Sequence, residues 1–332
     1  MTCPPRGATL PRGAPHAPAC AAHTAAGRAP TRTVHEGARK AGAVKLHYED
    51  GTLQEAAWRV LLSADRAGWA FSSLRILELA PGGGAEIALG DEETAVLPLS
   101  GSCRCAGDGH TIELSGRTDV FSGPTDWCYV PCRTRLRISS TRGGRFALAG
   151  AKATAERPWR HYGASEVGVE LRGAGRCSRR VTNYCMGDVE AERLLVCEVV
   201  TPAGNWSSYP PHKHDEDGPG ERALEEIYYF EIAPGPRGEA GIAYQRLYGT
   251  PARPIELLAE VRHGDVVLIP HGYHGPSMAA PGYDLYYLNV MAGPGERRWL
   301  ASDDPAHAFI RESWTHEEID ERLSSGVLAG GH

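Results

Sequence analysis

The 332-residue chain contains no run of about 18 apolar residues, so no segment of it suits a membrane-spanning helix. It has no surplus of positive charge either. Thirty-five lysines and arginines face 41 aspartates and glutamates, giving a net charge of −6. A surface of that sign offers no basic patch to neutralise a phosphate backbone, so neither nucleic acid nor a membrane is expected as a partner. No helix-turn-helix pattern points to a transcriptional regulator. The first residues lack the apolar core of about 7–15 residues that marks a secretory signal, so export is not expected. The nine cysteines lack the paired spacing of a structural zinc site. Cys103 with Cys105, and Cys128 with Cys132, are the closest pairs. They are read as reduced thiols, several of them buried, in a cytoplasmic protein.

Glycine and proline are plentiful, at 40 and 24. That composition suits many short strands joined by turns, and hence an all-β chain. Residues 1–42, rich in Ala, Arg, Pro and Gly, are expected to be disordered or a spurious N-terminal extension. From Val44 the pattern changes. Residues 58–62 and 74–79 read as strands, the latter with the alternation of period two. Pro81-Gly82-Gly83-Gly84 reads as a turn. Residues 94–101 read as a strand ending in a glycine turn, and Trp127-Cys128-Tyr129-Val130-Pro131 follows. At the end, Thr315 with Glu318 fits a capping box opening a short helix through Leu323, stopped by Gly326.

The chemistry is expected further on. In His212-Lys213-His214 the two histidines share one face of an extended strand; on a helix they would lie about 200° apart. Lys213 alternates away and points outside. Glu226 opens the apolar strand Ile227-Tyr228-Tyr229-Phe230. Asp265-Val266-Val267-Leu268-Ile269 leads into Pro270-His271-Gly272-Tyr273-His274. Any one of these histidines alone reads as a solvated loop residue. Together, His212, His214, Glu226 and His274 read as one divalent-metal site, with Glu225 the alternative carboxylate and His271 the alternative third histidine. Three imidazoles and a carboxylate suit Zn²⁺, Mn²⁺, Fe²⁺ or Ni²⁺, zinc being taken first, and disfavour the oxygen-only sites of Ca²⁺ and Mg²⁺.

This order resembles the two metal motifs of the cupin superfamily: His-x-His with a glutamate, then a proline-glycine turn carrying the last histidine. Longer runs narrow the likeness. Asn205-Trp206-Ser207-Ser208-Tyr209-Pro210-Pro211-His212-Lys213-His214-Asp215 resembles the 5-deoxy-glucuronate isomerases of myo-inositol catabolism. So do Leu224-Glu225-Glu226-Ile227-Tyr228-Tyr229 and the run from Pro281 to Pro294, and the likeness extends from about Val44 to about Trp314. It implies a bicupin fold, one bound divalent metal, and interconversion of 5-deoxy-glucuronate with 5-dehydro-2-deoxy-gluconate. Glu93 before Thr94-Ala95-Val96 parallels Glu226 before its strand, and residues 126–131 parallel 265–270. The expected organisation is therefore an N-terminal cupin barrel without metal ligands (43–160) and a C-terminal metal-binding barrel with the terminal helix (161–332).

In such a site a metal acting as Lewis acid would polarise the sugar carbonyl and stabilise an enediolate. A nearby base would move the proton. Tyr228 and Tyr287 are the candidates for catalytic contact. Tyr287 and Asn289, on one face of their strand, are candidates for substrate binding. The resemblance puts an arginine near the pocket, here Arg179, whose guanidinium fork matches a carboxylate. The family usually follows that arginine with a glutamine and later a histidine, where this chain has Arg180 and Thr182. An iron-dependent dioxygenase and a non-catalytic sugar-binding cupin are the alternative functions. A small sugar acid is the expected partner, and a homo-oligomer is kept open.

Overall fold

Strands joined by tight turns run through almost the whole of residues 45–325, the part described by the computed structural model. The expectations for residues 1–42 and for Gly326 lie outside the described residues. The strands form two cupin barrels, followed by short C-terminal helices. No helix among the described residues is long and apolar enough to cross a membrane.

The first barrel is a nine-stranded sheet spanning Trp58–Leu62 to Arg160–Tyr162. Its longest strand, Glu92–Gly107, does not end at Gly101 as the glycine suggested. It bends there, with register shifts after Pro98 and Gly101, so that one end pairs with Gly144–Lys152 and the other with Arg135–Ser139. Bulges of this kind let a sheet curl and close on itself. Gly101 has φ +77, and a Cβ there would run into the Gly143 carbonyl.

The second barrel sets a seven-stranded sheet against a six-stranded one. The first of these carries Glu225–Ile232, Leu285–Ala292, Leu195–Thr201 and Arg179–Cys185; the other carries Tyr273–Ala279 and His212–Lys213. The sheet partner changes between Tyr162 and Gly168. One short strand crosses over: His47–Tyr48, near the start of the described chain, pairs with Val266–Ile269 of the second barrel.

Burial explains why the central strands read as apolar without interruption. In Glu225–Ile232, Tyr228 and Phe230 face the second barrel's interior with Val181, Val199 and Tyr287. Ile227 and Tyr229 face the other way and pack with Leu74, Ile76, Ala95 and Leu97 of the first barrel. A strand buried on both faces loses the polar half of its alternation. Each such Leu or Ile contributes about 1.5–3 kcal/mol by leaving water.

Two carboxylates tie the barrels together reciprocally. Glu225 accepts hydrogen bonds from the backbone N–H groups of Ala70, Phe71 and Ser72 at 2.7, 2.9 and 3.0 Å. Glu93 accepts from those of Glu192, Arg193 and Leu194 at 2.8, 2.6 and 2.8 Å. Register makes the same match. Glu226 pairs with Ile269, before Pro270, and Thr94 pairs with Val130, before Pro131. Glu93 therefore corresponds to Glu225, one residue from the Glu226 parallel drawn from sequence, and Thr94 stands where the second barrel has Glu226. Glu225→Ala is expected to lower unfolding free energy by about 1–3 kcal/mol, the cost of leaving such N–H groups unpaired, with bound metal unchanged. Denaturant unfolding alongside metal analysis checks this; metal loss at unchanged stability would return Glu225 to the ligand set.

The C-terminal segment differs from the single capped helix read from Thr315. Ile310–Ser313 is helical, Trp314–His316 is a 3₁₀ turn, Glu317 is extended (φ −120, ψ 148), and Glu321–Ser325 is a separate helix. The break is tertiary: the Gly175 N–H donates to the Glu318 carbonyl at 2.7 Å, pulling the segment onto the second barrel.

Candidate metal centre and substrate pocket

His212 and His274 face each other in adjacent antiparallel strands, and Glu226 enters from the opposite sheet. His214 follows His212 just beyond its strand. The Nδ1 atoms of His212 and His214 lie 3.4 Å from the Pro210 carbonyl and 3.3 Å from the Leu224 carbonyl. Since a carbonyl only accepts, Nδ1–H donates in each case; Nε2 keeps its lone pair at His212, while at His214 the Glu226 carboxylate 3.0 Å away favours a proton on Nε2, which a bound cation would displace to leave Nδ1–H alone. That is the tautomer that ligates metal through Nε2.

The Nε2 atoms of His214 and His274 both lie 3.0 Å from one oxygen, Oε2 of Glu226. All three side chains are buried, and their donor atoms lie within 4.8 Å of one another. Oε1 of Glu226 is taken by the Asn289 amide, which donates to it. His212 lies outside the 4.8 Å set but borders it, its ring edge-on to His274 with centroids 4.4 Å apart. Both ring nitrogens of His274 are buried without a hydrogen-bond partner. Orphaned imidazole nitrogens beside a carboxylate oxygen fit a cation: it would satisfy the lone pairs and the charge together.

The electrostatics agree. Burial would raise the Glu226 carboxyl, but the imidazoles of His274 and His214 outweigh it and hold the group well below the usual carboxylate range. Burial, then the charges of His274 and His214, push His212 well below the ordinary histidine range. Burial, then the charge of Glu226, holds the Tyr228 phenol far above its ordinary value.

The pocket around these groups also takes in Arg179, Tyr228, Tyr287 and Asn289, so the sequence-derived substrate candidates and the metal candidates meet in one place. Tyr228 and Tyr287 stack with centroids 4.9 Å apart, and the Ser208 hydroxyl lies 3.0 and 3.3 Å from their phenol oxygens. Arg179 is only 5% exposed and forms no ion pair among the described residues. Its Nη1 donates to the Cys177 carbonyl at 2.9 Å, and its guanidinium lies over Trp314 at 5.3 Å. Burial lowers it to about 10, with the Tyr287 phenol opposing and Arg172 adding to the fall.

Three expectations concern residues outside this pocket. Glu225 is spent on the first barrel's backbone. His271 stays in its turn near Arg253 and Asp215. Lys213 turns away and binds Asp215 and Glu221, each at 2.8 Å. Sequence reasoning missed Ser208, Arg172 and Trp299, all of which line the pocket. The one signal was Ser208 in the run before His212. Its φ of +47 is a conformation non-glycine residues rarely adopt and which clusters at functional sites.

Comparison with known proteins places the chain among relatives. A model described as the KduI/IolB family matches residues 47–310. A protein of Geobacillus kaustophilus (strain HTA426) named 5-deoxy-glucuronate isomerase is 42% identical over 257 residues, 76% of this chain and 91% of its own length. Its namesake in Bacillus subtilis (strain 168) is 39% identical over 246 residues, 73% of this chain and 88% of its own. The crystal structure of an IolB-like protein from Salmonella typhimurium LT2 superposes with a TM-score of 0.74 at 32% identity, over 80% of this chain and 99% of that one. A mutant oxalate decarboxylase of Bacillus subtilis superposes with a TM-score of 0.55 at 11% identity, over 80% of each chain, a likeness of fold alone.

Proposed function

The chain belongs to the KduI/IolB family, and on that premise we infer that it is a 5-deoxy-glucuronate isomerase, an aldose–ketose isomerase forming 5-dehydro-2-deoxy-gluconate in myo-inositol catabolism. The observation that carries this reading beyond the relatives' names is one pocket that reaches the buried donor cluster at His212 and Glu226 and also holds Arg179, a buried arginine with no ion pair among the described residues. The substrate has matching ends, a carbonyl at one and a carboxylate at the other.

His212, His214, Glu226 and His274 would hold one divalent cation, zinc first among the candidates, which would supply Lewis-acid polarisation of the carbonyl. Asn289 fixes one oxygen of Glu226 and so aims the other at the histidines. Arg179 takes the sugar-acid carboxylate through its fork of N–H donors. The Tyr228 and Tyr287 hydroxyls, linked through Ser208, can hydrogen-bond the sugar oxygens whose protons exchange between aldose and ketose. Burial keeps bulk water from this exchange.

We assign the chemistry to the second barrel. The first barrel, with Thr94 in the glutamate's place, serves as its structural partner across the shared core. The seven described cysteines are free thiols, which suits a reducing compartment, and we place the protein in the cytoplasm.

The test is incubation of purified protein with 5-deoxy-glucuronate, followed by NMR. Ketose is expected to accumulate, to stop on chelation, and to resume when Zn²⁺ is added. A metal-loaded protein that leaves the aldose unchanged overturns the reading, and oxygen uptake with the sugar would move it to the oxygenases.

A further inference from the structure

Two cavities meet at the candidate site, and they differ in size and charge. The inner one, which holds His212, Glu226, Tyr287 and Arg179, has a volume of about 60 Å³. That is well below the volume of an ordinary small-molecule site, so a six-carbon sugar acid reaches Arg179 and the donor cluster only if part of the chamber's wall moves aside. Beside it lies a groove of about 700 Å³, within the range of about 300–1,000 Å³ usual for small-molecule sites. The two cavities share Arg172, Asn183, Met186 and Trp299, and these side chains form the wall between them.

Two members of that wall are built differently from the rest. Trp299 lies in an irregular segment, outside any strand ladder. It stands edge-on to His212, with centroids 5.9 Å apart. The Arg172 guanidinium lies over its ring at 5.4 Å and donates to Glu170 at 2.9 and 2.8 Å. The groove itself is cationic. Arg160, Arg297 and Arg298 line it and form no ion pair among the described residues, whereas its acidic lining is Glu166 and Asp188. A cleft of one sign concentrates ligands of the other.

We propose that this groove is an outer binding station for an acidic sugar, and that the Arg172–Trp299 pair is the gate through which the sugar passes to Arg179 and the metal centre. The identity of the sugar rests on the isomerase reading; the station and the gate do not. Handover between cations accounts for an inner chamber too small for its substrate: the gate opens only while a carboxylate is within reach of Arg172.

Calorimetric titration with D-glucuronate as probe tests the station. The wild type is expected to bind it, and more weakly as salt rises. The double variant Arg160→Gln/Arg298→Gln is expected to lose about tenfold in affinity, the lower end of what such focusing supplies, along with the salt dependence. Equal affinity and equal salt dependence in both proteins overturn the station. Trp299→Ala tests the gate. Metal removal by dipicolinate is expected to be several-fold faster than in the wild type, with Trp299→Phe close to wild type, and unchanged rates overturn the gate. If the wild type binds glucuronate in this arginine-dependent way but does not isomerise 5-deoxy-glucuronate, the isomerase reading falls and the station stands. If both proteins turn the substrate over with the same salt-insensitive KM, the station falls and the isomerase reading stands.

Discussion

Replacing His274 by alanine is expected to abolish bound metal and to lower kcat/KM by at least about a thousandfold, since a Lewis acid contributes several kcal/mol to such a reaction and each 1.36 kcal/mol is tenfold. The size of the effect follows from how little else His274 does. It is fully buried, both ring nitrogens lack hydrogen bonds, and its Nε2 lies 3.0 Å from Glu226. A buried imidazole whose one polar contact is a carboxylate it does not hydrogen-bond gives the fold little unless a cation takes its lone pair. The variant should therefore fold, with the strand Tyr273–Ala279 held by its neighbours. This sets it apart from Glu225→Ala, which should lose stability and keep its metal. Elemental analysis beside a kinetic assay reads both effects. A His274→Ala enzyme with one metal per chain and wild-type turnover would remove His274 from the centre.

The candidate site was legible in the sequence because its spacing has few physical solutions. A His-x-His pair on a strand shows one face, and a glutamate leading an apolar strand and a histidine beyond a proline-glycine turn both stand at the start of a strand. What periodicity left open was which of two adjacent acids turns inward. Register decides this: Glu226 shares its face with Tyr228 and Phe230 inside the barrel, while Glu225 reaches the first barrel's backbone. The same one-residue ambiguity misaligned Glu93. Other features depend on tertiary partners that the local sequence does not carry. His47–Tyr48 joins the second barrel because Val266–Ile269 offers it an edge. The terminal helix breaks at Glu317 because Gly175 captures the next carbonyl. Trp299 sits 25 residues past His274 on no regular element, where no period could point to the pocket.

Arg179→Ala is expected to lower kcat/KM for 5-deoxy-glucuronate by at least about thirtyfold, since removing one partner of a buried, hydrogen-bonded charge pair costs about 2–5 kcal/mol. The loss should fall on KM, and far less on an analogue whose carboxylate is replaced by an uncharged group. Charge balance is the reason. Among the buried arginines, Arg117 has Glu198 at 2.7 Å and Arg75 has Glu92 at 2.6 Å. Arg179, equally buried, has a carbonyl and the Trp314 ring, and burial pulls its guanidinium down to about 10. A cation kept out of water with no internal anion is strained in the free protein and relieved by an incoming one. Any anion small enough to enter can supply that relief, and a sugar acid brings it attached to a carbonyl that the donor cluster in the same pocket can serve. Arg179→Lys separates charge from geometry: it keeps the positive charge but lacks the planar fork, and should recover only part of the affinity. Equal losses for the acid and its uncharged analogue in Arg179→Ala would show that the residue merely supports the barrel wall.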